Sequence, residues 1–599
     1  MKSIVLFFIF CIPTLLFAQH IRYEFAAPNA AHHEAQISIT VDGLPAGPAV
    51  FRMSRSSPGR YATHEFGKNV YNVSAVDEKG NQLAVQKTDP EVYQVAIHKS
   101  VVTLSYTLYG NYADGTYAGI DVSGFHLNMP AVFMWVKGMD KAPITVHFTK
   151  GNSDWKIATQ LKPTNDNNTF TAPGLQYFMD SPTKIGNLHI REWTVTNPDN
   201  KTYTFRLALE AEATESLVDS FAKKVEKLVK VEQAVYGEVP AFDYGTYTFI
   251  ASINPYVKGD GMEHRNSTMI TSARTFNGSD NLLPVFAHEF FHCWNVERIR
   301  PKSLEPFNFE KSNMSEAMWV AEGFTQYYGQ LLMKRAGFTT DEEFLMQLAG
   351  LINAKENTPG GQYYSPIENS QRAVFADAGV SIDKNNYPNM FTSYYVYGGA
   401  LALALDLQLR ATFNSSLDMF MRQMWKQYGK PEKPYTLPQM QETLASVSNK
   451  TFAADFFKNN VYGHQSIDYN KLLKPFGFGV NTMSDGKAWL GNTRFTSENN
   501  QLTISGNVTR GTPFYAAGLD VEDVLLSVDG TEVHDNNDLN TIVQNHKPGD
   551  RLNVSYKHRT DIKEATITLT ENPLFTISKL KDAGKNQIES YKDWISSSQ

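Results

Sequence analysis

Over the first third of the chain apolar and polar residues alternate in short runs, at 35–41, 101–108 and 144–148, with turn residues between them. A period of two over such lengths is the pattern of half-buried strands, so the region from about Tyr23 to Trp193 is expected to form a β sandwich or curved sheet. Over 207–229 the spacing lengthens to a helical period, which recurs over 321–336, 341–354 and 398–410. This middle region reads as largely helical. A β-rich run at 245–253 is the exception and leads into Gly261-Met262-Glu263-His264. Past about Pro475 short strands return at 502–504, 524–528 and 552–556, with Gly-Asp and Asp-Gly turn signals. A small separate β domain is expected to close the chain there, and the polar end after about Ser578 is either a helix or a frayed tail.

Length and composition agree with several ordinary domains. The 599 residues suffice for about four, and 42% hydrophobic with 20% charged residues is a globular balance. A formal charge of -7 without a dense Lys/Arg cluster argues against nucleic acid as a partner. Residues 1–18 combine Lys2 with an apolar run ending Leu-Leu-Phe-Ala before Gln19, the pattern of a cleaved secretory signal peptide. That run is shorter than the roughly 20 residues a membrane span needs, and nothing later approaches that length. The mature protein is therefore expected in the periplasm or outside the cell, with no stable span. Of two cysteines, Cys11 lies in the signal and Cys293 is left without an intramolecular partner, so no disulfide framework forms.

The chemistry concentrates at His288-Glu289-Phe290-Phe291-His292, which follows an apolar stretch at 282–287. Spacing of i, i+4 puts both imidazoles on one helix face, where a single zinc ion takes a nitrogen from each. Glu289 lies one residue round from His288, placed for a catalytic base and poorly placed as a third ligand. A carboxylate in an otherwise apolar helix is costly unless it has work of this kind. A third protein ligand is needed, and downstream candidates are Glu297, Glu305, Glu310, Glu316 and Glu322. Glu322 is favoured because its aromatic-rich helical surroundings can hold it rigidly, with Glu316 as the alternative.

These residues resemble the gluzincin metallopeptidases, and more closely the glycyl aminopeptidase family that carries a PDZ domain. The strings that carry the resemblance are His288-Glu-Phe-Phe-His-Cys-Trp-Asn-Val-Glu-Arg-Ile-Arg-Pro301, Trp319-Val-Ala-Glu-Gly-Phe-Thr-Gln-Tyr-Tyr328, Gly261-Met-Glu-His264, Ser393-Tyr-Tyr-Val-Tyr-Gly398 and Ser57-Pro-Gly-Arg-Tyr61. The resemblance implies one Zn²⁺ held by His288, His292 and Glu322. It implies a substrate-binding strand of Gly261, Met262 and Glu263, with the Glu263 carboxylate gripping a free amino group. It assigns Tyr395, or its neighbour Tyr394, to the oxyanion, although Tyr397 stands where the family commonly has Lys. Val508-Thr-Arg-Gly-Thr-Pro-Phe-Tyr-Ala-Ala-Gly-Leu519 resembles a PDZ domain, with Glu522-Asp523 in place of its usual Gly-Asp and Trp489-Leu490-Gly491-Asn492 as the loop for a peptide or protein C-terminus.

The expectation is a multidomain α+β enzyme. It comprises a signal peptide (1–18), an N-terminal β domain (19–195), a thermolysin-like, mostly helical catalytic domain (196–474), a PDZ domain (475–575) and a tail (576–599). It would hydrolyse the first peptide bond of peptides with a free N-terminus, favouring small residues such as Gly or Ala. Two rivals are a zinc endopeptidase, in which Glu263 only lines the wall, and a PDZ scaffold with a silent peptidase domain.

Overall fold

The structure, a computed structural model, describes residues 19–45, 47–376 and 385–596, so the signal-like segment 1–18 lies outside the described residues. The alternating runs of the first region are strands. His20–Asn29, Glu34–Asp42 and Val101–Tyr109 adjoin at the centre of an eight-stranded sheet. Tyr23 pairs across with Ile39 and Phe25 with Ile37, and all four are buried in the core of this domain.

The middle region opens on a five-stranded sheet ordered His189–Thr196, Thr202–Glu210, Thr246–Ile253, Ser267–Ser272 and Asp260–His264. Asp260–His264 is thus an edge strand. The helical period expected from 207 starts later. Tyr203, Phe205, Leu207 and Leu209 alternate inward as a strand, and the helix Glu215–Tyr236 begins only where Thr214 caps it by accepting from the Leu217 amide.

The other helices that matter for the site are Leu283–Phe291, Gly323–Arg335, Asp341–Glu356 and Tyr394–Phe413. The helix expected over 321–336 is broken at Glu322, between Met318–Ala321 and Gly323–Arg335. Two glycines bring this break against Tyr394–Phe413. A Cβ on Gly323 would sit 2.3 Å from the Gly398 Cα, and one on Gly398 would sit 2.0 Å from the Trp319 carbonyl oxygen. Only hydrogen fits at either place.

The PDZ region has its own core around Leu502, Phe514, Leu525 and Val554. It does not close the chain. Strand Thr570–Lys579 returns antiparallel beside Phe478–Trp489, and helix Lys585–Ile595 then docks on the peptidase core. Trp594 is fully buried, and its Nε1 donates to Tyr327 Oη at 2.9 Å, whose hydroxyl in turn donates to Asp406 at 2.7 Å. The polar composition after Ser578 hid this anchor, because two aromatics, Tyr591 and Trp594, make the contact. The PDZ domain is therefore inserted into the peptidase fold. Among the described residues no helix is long and apolar enough to cross a membrane.

The β and peptidase domains exchange side chains. Phe309 lies in the core of the β domain, and Tyr61 lies in the core of the peptidase domain.

Candidate active site

Helix Leu283–Phe291 carries His288 and Glu289 and ends with His292 as its C-terminal cap. Its apolar residues Leu283, Phe286, Ala287 and Phe290 bury against the sheet and the helix Glu215–Tyr236, so the remaining face turns to the cleft. His288 Nε2 lies 3.4 Å and His292 Nε2 3.3 Å from Glu322 Oε2. Donors held about 2.0–2.2 Å from one tetrahedral ion are separated by about 3.3–3.5 Å, so the carboxylate and imidazoles stand at the spacing that a bound metal requires. His292 Nδ1 donates to the Asn295 carbonyl at 2.8 Å, which leaves Nε2 free as a ligand. Asn295 Nδ2 in turn donates to the carbonyls of Val320 and Ala321 and to Thr325 Oγ1, tying the end of this helix to the break that carries Glu322.

Glu263 and Glu289 complete a second acidic group with His292. Burial pushes the Glu289 carboxyl well up, opposed by His292 and reinforced by Glu263 and Glu322. Burial likewise lifts Glu263, to about 7. His292 is pulled down by burial, yet the facing carboxylates, Glu322 foremost, raise it to about 10. At Glu322 burial acts upward, but His292 and hydrogen bonds from both imidazoles hold the carboxyl far below its usual range. Three buried carboxyl groups gathered around two imidazoles form a donor set of the kind that a divalent cation takes.

Gly261 has no side chain for a reason visible here: a Cβ would lie 2.3 Å from Glu289 Oε1. Met262 faces elsewhere, buried beside Gly59 of the β domain. That glycine, at φ +78°, also abuts Glu263, since a Cβ there would lie 2.7 Å from Glu263 Oε2. Its neighbours are equally engaged. Arg60 pairs with Asp260 on the edge strand, and the Tyr61 hydroxyl donates to Glu322 Oε1 at 2.8 Å. The family resemblance covers this loop, Ser57 to Tyr61, but assigns it no role.

Tyr395 stacks on His288, with ring centroids 5.9 Å apart, and lines a cavity of about 380 Å³ together with His288 and Glu289. Tyr394 is buried and turns its ring edge to Tyr61. The rejected ligand candidates are occupied elsewhere. Glu297 lines a separate charged cavity with Arg265, Arg298 and Arg300, Glu305 bonds Arg300, and Glu310 bonds Arg52. Glu316 is half-buried and belongs to neither acidic group. In the PDZ domain Gly491 takes φ +116° opposite Thr512. A second loop, the one that leads to Thr512, docks on the peptidase domain, where Asn389 donates to the Val508 carbonyl at 2.8 Å and accepts from the Arg510 amide.

Residues 22–187 match the Peptidase M61 N-terminal domain, 281–401 the M61 glycyl aminopeptidase and 490–569 a PDZ domain. The fold is that of an aminopeptidase N family protein from Idiomarina loihiensis, with a TM-score of 0.81 at 22% identity over 96% of this chain and 100% of that one. An M1 zinc metallopeptidase from Deinococcus radiodurans is more distant, with a TM-score of 0.45 at 13% identity over 75% of this chain and 94% of that one. No match to a curated protein was found by sequence. Fold and family together define a metallo-aminopeptidase that carries a PDZ domain. More particularly, the chain carries the two domains of the M61 glycyl aminopeptidases, over residues 22–187 and 281–401.

Proposed function

We propose that the enzyme is a zinc aminopeptidase that removes single small residues, such as Gly or Ala, from free N-termini, with one Zn²⁺ held by His288, His292 and Glu322. The observation that carries the exopeptidase reading is Glu263, a carboxyl group buried on the edge strand within reach of Glu289 and His292, where it offers a substrate ammonium an anionic partner. Zinc, when bound, supplies a Lewis acid for the scissile carbonyl and makes water acidic. Glu289 takes the proton of the attacking water and passes it to the leaving amine. Tyr395, facing the cavity beside His288, donates a hydrogen bond to the developing oxyanion.

Paired peptides with free and acetylated N-termini, analysed by mass, test the reading. Loss of one residue from the free peptide and none from its partner is expected. Internal cuts in acetylated peptides would instead make this an endopeptidase.

Export rests on the leader-like residues 1–18, and a mature N-terminus at Gln19 is the expected result of sequencing the cell-derived protein. At the PDZ domain the ligand is a peptide C-terminus bound by strand addition beside Gly491. Free and amidated C-termini should differ in affinity.

A further inference from the structure

We infer that the cavity beside the catalytic residues is the subsite for the leaving peptide, and that Gln330 and Gln347 read its main chain through their carboxamides. This rests on the aminopeptidase reading above. The cavity, about 380 Å³, is bounded on one side by His288, Glu289 and Tyr395. Arg60 and Asp260, paired with each other, also line it, and three glutamines make the polar, uncharged part of its wall. Gln326 and Gln330 project from one face of helix Gly323–Arg335 at i, i+4, and Gln347 faces them from helix Asp341–Glu356.

Gln330 Oε1 and Gln347 Oε1 are buried and have no hydrogen-bond partner among the described residues. A buried amide acceptor without a donor is costly, and native proteins rarely keep two at one cavity without use. A carboxamide offers donor and acceptor side by side, the complement of a peptide group, and its last torsion is broad enough to present either end.

Direction follows from Glu263, which is absent from this cavity's lining. With the substrate ammonium at Glu263 and the scissile bond over His288, His292 and Glu322, residues two and three enter the glutamine-lined space. The volume lies within the range of small-ligand pockets and accommodates a short extended segment. Because neither carboxamide carries charge, their part in recognition falls on the backbone.

The test is a length series on the zinc-loaded full chain: alanine amide, dialanine amide and trialanine amide. Each neutral hydrogen bond gained should raise kcat/KM roughly fivefold, mainly through KM. Methylating the amide nitrogen of residue three should remove about one such step in the wild-type enzyme, a readout that needs no variant. Gln330→Leu and Gln347→Leu should each shrink the ratio of trialanine amide to alanine amide by a similar factor. A flat length series with the first residue still released overturns this inference alone, as does a length advantage that survives both substitutions. No release from any of the three overturns the aminopeptidase reading and this inference with it.

Discussion

The hydroxyl of Tyr61 reaches from the β domain to Glu322 Oε1, 2.8 Å away, across 261 residues of sequence. Glu322 presents its other oxygen to His288 and His292. A phenol in this position fixes the carboxylate so that one oxygen stays turned to the imidazoles. Tyr61→Phe should therefore weaken metal affinity by about ten- to a hundredfold, read by competition with a chelator of known strength. An unchanged affinity would leave Tyr61 as packing only.

His292 is more enclosed than His288, with Nδ1 committed to the Asn295 carbonyl. His292→Ala should abolish stoichiometric zinc in purified protein, measured by elemental analysis. Full retention would refute the three-ligand assignment.

Glu289 and Tyr395 should separate chemistry from metal binding. Glu289→Gln keeps the shape in a space that Gly261 leaves tight, so zinc should stay while turnover falls by several orders of magnitude. Tyr395→Phe should lower kcat by about a hundredfold at little change in KM. A full rate in the Phe variant would shift the oxyanion role to another donor, with Tyr394 the first to examine.

How much of this could be read from the chain alone depended on distance along it. His288, Glu289 and His292 are within one helical turn, so their shared face followed from spacing. Glu322 needed only the inference that an aromatic-rich helix packs nearby, although the helix break at that residue depends on contact between Gly323 and Gly398 and has no local signature. Tyr61, Gly59 and Trp594 act through contacts with residues hundreds of positions away. Nothing in their own neighbourhoods distinguishes those contacts from ordinary loop or tail chemistry. Gln330 and Gln347 likewise read as ordinary polar positions on helices until the cavity between them is seen.

Asp341 anchors the returning segment from below, taking hydrogen bonds from Lys334, Lys579 and Tyr591. Partial burial acts upward on its carboxyl, but those partners hold it far below the ordinary 3.8. A group with a depressed folded-state pKa stabilises the fold above its unfolded value and loses that contribution as pH falls through the folded one. Acid should therefore loosen this anchor below about pH 4, and Asp341→Asn should flatten the acid limb of a Tm-versus-pH curve. Parallel curves for the two proteins would contradict the assignment.

Trp594 fills the space between Tyr327, Phe344 and Phe476. Replacing it with Ala should cost about 3–5 kcal/mol of stability by leaving a cavity and removing the indole donor to the Tyr327 hydroxyl oxygen, measured by denaturant unfolding. A loss under about 1 kcal/mol would mean that the terminal helix sits on an already finished core.

Tyr327 lies 267 positions before Trp594, and the PDZ domain occupies much of that interval. On the ribosome the helix that walls the cleft thus emerges long before the indole that completes its packing. The intervening domain has its own hydrophobic core, and the paired strands Phe478–Trp489 and Thr570–Lys579 bring its two ends together, which shortens the loop that must close. Synthesis accordingly imposes an order in which the insert can settle first and the peptidase is sealed afterwards. A peptidase built this way has a delay before competence written into its connectivity, because its cleft stays unbraced until helix Lys585–Ile595 has been made.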